Sequence, residues 1–423
     1  MSARGAAIAA GAFARTLLRS RTLRSRAALE RWQARRLRAW LLRDALAVPA
    51  YADLADAIAR DGLRALPRIG KADLLARFAA HNRLGLDART ALRMADAGTA
   101  PRDHAVGAST GTSGNRLPYV VSERERFVWL GTLLAKALPD APLNRHRVAV
   151  VLPRGSALYD AANASGALRL LFVPIGDGLP AMGAALERFD PTVVVAPPRA
   201  LRFMAERGTA IAPRRVVSAA EVLDPPDRSI IEAAWPRAAP IGQIYMATEG
   251  LFAVTCARGT LHLAEDCVHF ELEPAGEGLV SPLVTDFTRR TQIMARYRMN
   301  DLLRPGRPCP CGSPLATIAA VEGRRDDAFE FAGTVVTPDV MRDAVVGADP
   351  AITDFRIAQT SAGAVRVTLP EATSGAAVDA ARERLRAAFG RLGVDPLVEV
   401  ARGPIEPPVA RKLRRVERLW HGD

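Results

Sequence analysis

The sequence has almost no lysine. Only Lys71, Lys136 and Lys412 stand among 58 basic residues in a chain of 423; every other one is arginine. This is the bias of a GC-rich coding sequence, so a lysine kept against it marks a position to examine. Aromatic residues are also scarce, at 5%, and no stripe interleaves them with basic side chains. That argues against a nucleic-acid partner despite a net charge of +13, because recognition of nucleic acid leaves a clustered basic footprint. The charge is lopsided instead: residues 1–47 hold eleven arginines against Glu30 and Asp44. No run approaches the roughly 18 apolar residues of a membrane span, and there is no internal repeat. Four cysteines in a chain this long do not make a disulfide framework. The expectation is a cytoplasmic protein whose basic, amphipathic helical N-terminus (1–47) rests on the protein or on an anionic membrane surface.

What is present is apolar bulk: 49% of residues are hydrophobic, enough for two or three domains at this length. From about 28 to 85 apolar residues recur every three to four positions, among them Leu37, Trp40, Leu41, Leu74, Leu75 and Phe78, which predicts helices. Between 146 and 247 the runs RVAVVL, LRLLFVPI, TVVVAP, RRVVSA and IGQIYMA alternate with helical stretches. That alternation predicts an α/β fold with a mostly parallel, helix-covered sheet. Residues 252–299 are shorter and turn-rich, as in an antiparallel β subdomain. RPGRPCPCGSP follows, and then VEGRRDD, a charged, glycine-flanked stretch expected to be a hinge at 324–328. It separates a large domain (48–323) from a small α+β domain (329–423).

The segment GASTGTSGNR, Gly107 to Arg116, packs three glycines and four hydroxyl residues in front of an apolar run. Consecutive backbone N–H groups in such a turn form a concave anion site that small side chains leave open. It is not a Walker loop, since Gly114 is followed by Asn115 and Arg116. Four further stretches come after it: IYMATEG (244–250), RYRMNDLL (296–303), VEGRRDD (321–327) and VARKLRR (409–415). In this order and at these separations the five resemble the adenylate-forming enzymes, and within them the phenylacetate-coenzyme A ligase-like branch, over roughly residues 30–420.

The resemblance implies a large domain with a small mobile one. It also implies ATP-dependent activation of a carboxylic acid to an acyl-adenylate, with a thiol commonly taking the acyl group. By similarity Ser109, Thr110, Gly111, Thr112, Ser113 and Gly114 would cradle the ATP phosphates. Thr248 would touch the α-phosphate and Glu249 would hold Mg²⁺. Asp301 would take the ribose hydroxyls, Arg324 would contact ribose or phosphates, and Asp326 would be the pivot of the small domain. Lys412 would reach the attacking carboxylate during adenylation, where a cation offsets charge growing in the transition state. Two positions depart from the family pattern, because Asn300 and Arg411 stand where glycines are usual. Pocket walls are expected from Tyr245 and Met246 and from the segment 218–221.

Cys256, His262, Cys309 and Cys311 make a possible closed tetrahedral set for structural Zn²⁺, and similar Cys and His positions occur in that branch. Cys267 and His269 are left as core or surface residues. The thiol acceptor stays open, since coenzyme A and the phosphopantetheine arm of an acyl carrier protein present the same nucleophile, and the arginine-rich N-terminus could steer an acidic carrier. The alternative to an enzyme is a catalytically degenerate, nucleotide-binding member acting as an assembly partner. A zinc-dependent nucleic-acid binder would leave the phosphate loop and the α/β sheet without a use.

Overall fold

The computed structural model describes residues 2–109, 116–152, 168–175, 178–405 and 413–420. The chain begins with α1 (Ala3–Thr22) and α2 (Arg26–Trp40), then the short helices α3 (Ala55–Asp61) and α4 (Lys71–Ala76), and α5 (Ala88–Ala97). The hairpin β1 (His104–Ala108) and β2 (Pro118–Ser122) leads into α6 (Glu123–Ala137). Ser122 caps α6, and Glu125 returns the bond to the Ser122 N–H, so two orphan N–H groups are satisfied at once. The same carboxylate accepts the backbone N–H groups of Arg290 and Thr291 at 2.5 and 2.9 Å, tying the helix start to the far side of the sheet.

The sheet runs through β3 (His146–Leu152), β4 (Leu168–Pro174), β5 (Val193–Ala196), β6 (Arg215–Ala219) and β7 (Gly242–Ala247), all parallel to one another. These are the five runs named from the sequence. They read as near-continuous apolar stretches because helices cover both faces. On one face α7 (Leu179–Phe189), α8 (Pro198–Glu206) and α9 (Pro225–Ala234) enclose a core with Ala149, Val151, Met182, Leu201, Met204 and Ile231. On the other, Leu133 of α6 packs on Val217, Ile244 and Val254.

Beyond β7 come β8 (Gly250–Thr255), β9 (Leu261–Leu263), β10 (Val268–Pro274), β11 (Val280–Asp286), β12 (Tyr297–Arg298), β13 (Asp301–Pro305) and β14 (Thr317–Arg324). They pair antiparallel, as their turn-rich pattern implies. They do not form a sheet of their own, however. Because β7 and β8 are joined by a two-residue hairpin, the sheet is continuous in the order β10-β11-β13-β14-β9-β8-β7-β6-β5-β3-β4, with β12 beside β11.

The basic N-terminus packs on the protein. α1 buries only small residues (Gly5, Ala9, Ala12 and Thr16) against α6. A Cβ on Gly131 of α6 would fall 2.1 Å from the Ala9 carbonyl oxygen, and one on Gly5 would fall 2.3 Å from the Phe127 ring. Glycine at both positions is what lets the helices touch backbone to backbone. α2 is held by Gln33, which donates to the Glu265 carbonyl at 2.7 Å, and by Trp40, whose Nε1 donates to the Arg289 carbonyl at 2.6 Å.

The last part of the chain has a core to itself. It comprises the hairpin β15 (Phe329–Phe331) and β16 (Thr334–Val336), α10 (Pro338–Val346), β17 (Arg356–Ser361), β18 (Ala364–Pro370), α11 (Gly375–Arg391), β19 (Leu397–Gly403) and β20 (Val416–Arg418). Four strands make a sheet in the order β19-β18-β17-β20. Phe329, Met341, Phe355, Val367, Leu385 and Phe389 fill the space beneath it.

His81 offers a stability test. It is 3% exposed, and burial, reinforced by Arg77, lowers its pKa from 6.5 to about 4. The folded state therefore holds it neutral, while the unfolded chain protonates it below pH 6.5. Its contribution is complete above pH 6.5 and is lost as the pH falls toward 4, up to about 3 kcal/mol. Urea unfolding of His81→Phe should show a shallower loss of stability than the wild type over that window. An unchanged slope would contradict it.

Candidate active site

Thr248 and Glu249 form the two-residue turn between β7 and β8. The switch from parallel to antiparallel pairing thus falls on IYMATEG, beyond the carboxyl ends of β6 and β7, where α/β sheets open a ligand crevice. The Thr248 carbonyl accepts Arg289 Nη2 at 2.7 Å. Arg289 Nη1 is buried and has no hydrogen-bond partner among the described residues. Glu249 accepts the Tyr297 hydroxyl, and its pKa is raised, first by burial and then by Asp301 nearby. A cation beside it would restore the ionised form.

Backbone pairing brings a lysine to this carboxylate. The Ile69 N–H donates to the Arg296 carbonyl at 3.1 Å and the Ile69 carbonyl accepts the Arg298 N–H at 2.8 Å, forming a parallel bridge with Tyr297. Lys71, at the start of α4, then sits within reach of the charges on Glu249, Arg324 and Asp326. Burial lowers its pKa, Glu249 and Asp326 oppose the shift, and Arg324 adds to it. Asp301 begins β13 and Arg324 ends β14, directly opposite each other in the ladder. The Tyr245 hydroxyl donates to Asp301 Oδ2 at 2.6 Å. Asn300, standing where a glycine is usual, donates from Nδ2 to Asp326 Oδ2 at 2.6 Å. Met246 is partly buried against the core of Leu133, Val217 and Leu251. The Ser109 N–H donates to the Leu117 carbonyl and its Oγ accepts the Leu117 N–H, both at 2.9 Å, closing the neck of the glycine-rich loop. Thr110, Gly111, Thr112, Ser113, Gly114 and Lys412 lie outside the described residues.

No protein-family profile matches the chain, and no curated protein matches it. Solved structures do. 2-Hydroxyisobutyryl-CoA ligase, in its postadenylation state with an acyl-AMP bound, aligns at a TM-score of 0.68 and 18% identity over 91% of this chain and 88% of its own. An acyl acid amido synthetase in complex with 2,4-DB aligns at 0.60 and 12% identity, over 92% and 89%. The amide bond synthetase McbA from Marinactinospora thermotolerans aligns at 0.55 and 16%, over 74% and 68%. The chain has the adenylate-forming fold. Against the same 2-hydroxyisobutyryl-CoA ligase in its thioesterification state the TM-score is 0.52.

A second cluster lies on the antiparallel half of the fold. Cys256, His262, Cys309 and Cys311 present ligand atoms that all lie within 4.8 Å of one another. Cys256 Sγ is 3.7 Å from Cys309 Sγ, and Cys311 Sγ is 3.4 Å from His262 Nε2. A tetrahedral centre with Zn–S near 2.3 Å and Zn–N near 2.0 Å would space its ligands by roughly 3.4–3.8 Å. His262 Nδ1 faces the Leu315 carbonyl at 3.2 Å, which leaves Nε2 turned toward the thiols, as an outer-shell partner does for a ligating histidine. The Arg258 N–H also donates to Cys256 Sγ at 3.4 Å. β14 pairs with β9 through Thr317 and His262, and this pairing carries the CPC loop to the β8–β9 turn. Cys267 belongs to the core, and His269 faces the Gln33 side-chain oxygen at 2.8 Å.

Lys71, Tyr297 and Arg289 are the site residues that sequence reasoning missed. Lysine scarcity was the only signal for Lys71. Tyr297 lay inside the recognised RYRMNDLL, and Arg289 was hidden among 55 arginines. Among the described residues no helix is long and apolar enough to cross a membrane.

Proposed function

We propose that this protein activates a carboxylic acid, aryl or otherwise apolar, with ATP, giving an acyl-adenylate and pyrophosphate, and passes the acyl group to a thiol of coenzyme A or of a carrier-protein phosphopantetheine. The observation that carries the reading is the convergence of Glu249, Asp301, Arg324 and Lys71 at the carboxyl end of β7, in a fold shared with acyl-adenylate-forming ligases.

In the first half-reaction a carboxylate oxygen attacks the α-phosphorus, and the bond to the pyrophosphate oxygen breaks. In the second the thiol sulfur attacks the acyl carbon, loses its proton, and AMP leaves. Asp301, oriented by Tyr245, accepts the ribose hydroxyls, and Arg324 across the ladder contacts ribose or phosphate. Lys71 and the free N–H of Arg289 face the phosphates. Thr248 meets the α-phosphate, the loop 109–114 cradles the outer phosphates, and Lys412 meets the attacking carboxylate. Glu249 is a single carboxylate ligand of the kind that shares Mg²⁺ with substrate phosphates, and the ion would draw charge from the leaving pyrophosphate. Residues 48–323 and 329–423 act as large and small domains about a hinge at 324–328, with one arrangement for each half-reaction. The Cys/His cluster would hold a structural Zn²⁺, fastening the CPC loop to the β8–β9 turn.

The test is pyrophosphate release from ATP and Mg²⁺ across a panel of aryl and aliphatic acids, with Glu249→Ala as control. Acid-dependent release that falls at least about 100-fold in the variant is the expected result. Silence across the panel, with ATP still bound, transfers the assignment to the degenerate nucleotide-binding reading.

A further inference from the structure

The segment immediately after Lys412 ends in a buried ionic seam between the two parts of the molecule. Arg415 is 8% exposed and meets three carboxylates. Nη1 donates to Asp224 Oδ2 and to Asp227 Oδ2, each at 2.6 Å, Nη2 to Asp227 Oδ1 at 2.9 Å, and Nε to Asp354 Oδ1 at 3.0 Å. Asp224 stands at the N-cap position of α9 and Asp227 lies in its first turn, so both acids sit at the positive end of a helix of the large part. Two residues earlier the Leu413 N–H donates to Glu221 Oε1 at 3.3 Å, and Arg199 of α8 lies 3.2 Å from the same oxygen. From the large part, Arg202 of α8 spans the same seam, donating from Nη1 to Asp227 Oδ1 at 3.1 Å and to the Thr353 carbonyl at 2.5 Å. Arg414 turns the other way, onto Asp327 of the hinge stretch.

We propose that Arg415 is a positioning residue: it docks the segment that starts at Leu413 over the end of β6 and latches the small part in the arrangement that serves adenylation. The inference rests on the adenylation reading and adds what would fix the small part for that step. Apolar surfaces can slide past one another, whereas a guanidinium shared among fixed carboxylates accepts one geometry. A better alignment to the postadenylation state of 2-hydroxyisobutyryl-CoA ligase than to its thioesterification state is what such a seam would give. Opening the seam admits water to every ion in it, so the latch is specific yet reversible. The second half-reaction requires that opening.

Two variants, Arg415→Gln and Arg202→Gln, test the latch in the full chain, with the surface variant Arg366→Gln as control. Hydrogen exchange should accelerate at least tenfold in peptides covering 221–228 and 413–420 of both seam variants, while β17 and β18 keep wild-type protection. Unchanged exchange in both peptides, or equal loss throughout the small core in both variants, overturns the proposal. With the acid that scores in the pyrophosphate panel, Arg415→Gln should slow acid-dependent pyrophosphate release about 100-fold, while transfer from its supplied acyl-adenylate to coenzyme A keeps its rate or quickens. Equal slowing of both steps overturns the positioning role. If no acid scores with the wild type, the adenylation reading fails on its own, and exchange still judges the seam.

Discussion

Lys412→Ala should abolish acid-dependent pyrophosphate release while leaving ATP affinity within a few-fold of wild type. A carboxylate approaching the α-phosphate meets a group of its own sign, and negative charge accumulates on the phosphoryl oxygens as the bond forms. A cation fixed there acts on the transition state far more than on bound ATP, and removing one such group costs about 10²–10³ in rate, or about 3–4 kcal/mol. On the proposed reading nucleotide affinity is set elsewhere, at Asp301, Arg324, Lys71 and the loop 109–114. Isothermal titration with MgATP beside the pyrophosphate assay separates the two. Equal loss of binding and rate would place Lys412 in the nucleotide site and refute its assigned role.

Cys309→Ser should remove about one Zn per chain by elemental analysis and strongly destabilise the antiparallel half of the sheet. A closed four-ligand centre makes metal binding part of folding, and losing one thiolate leaves three ligands and an open position. The Cys309 thiol ionises more readily than a free one. Burial opposes its thiolate, but bonds from the Thr260 side chain and the Cys311 backbone prevail and lower its pKa to about 6. The loss should be confined to β8, β9 and β14, which the CPC loop joins, and hydrogen exchange would map it there. Exchange that is unchanged in those strands, in a protein purified without metal, would refute the structural zinc.

The parallel strands were legible because burial on both faces leaves an unbroken apolar run, as in Val193–Ala196. The ends of β6 and β7 were legible as a candidate site because the motif around Thr248 and Glu249 has a recognisable order. What stayed hidden depends on pairings between distant segments. Cys256 and Cys309 are neighbours only because β14 returns beside β9, and Lys71 reaches Glu249 only because Ile69 bridges to Tyr297. The continuity of the sheet through β8 was masked by a change of period at the hairpin. RKLRR read as a basic stretch, yet Arg415 is buried among aspartates that lie almost two hundred residues earlier. A sequence window contains no sign of them.

β20 lies at the edge of its sheet, parallel to β17 through Ile357 with Val416 and Gln359 with Arg418. A ribosome completing the small sheet therefore waits some sixty residues after β17 has emerged, with that strand's edge unpaired and open to foreign chains. Arg415 arrives in the same stretch of synthesis as β20. Closing the sheet and docking it on α9 are consequently one late event. Trimming the chain from Arg415 onward would leave a nascent protein without β20 and without the Arg415 half of the seam.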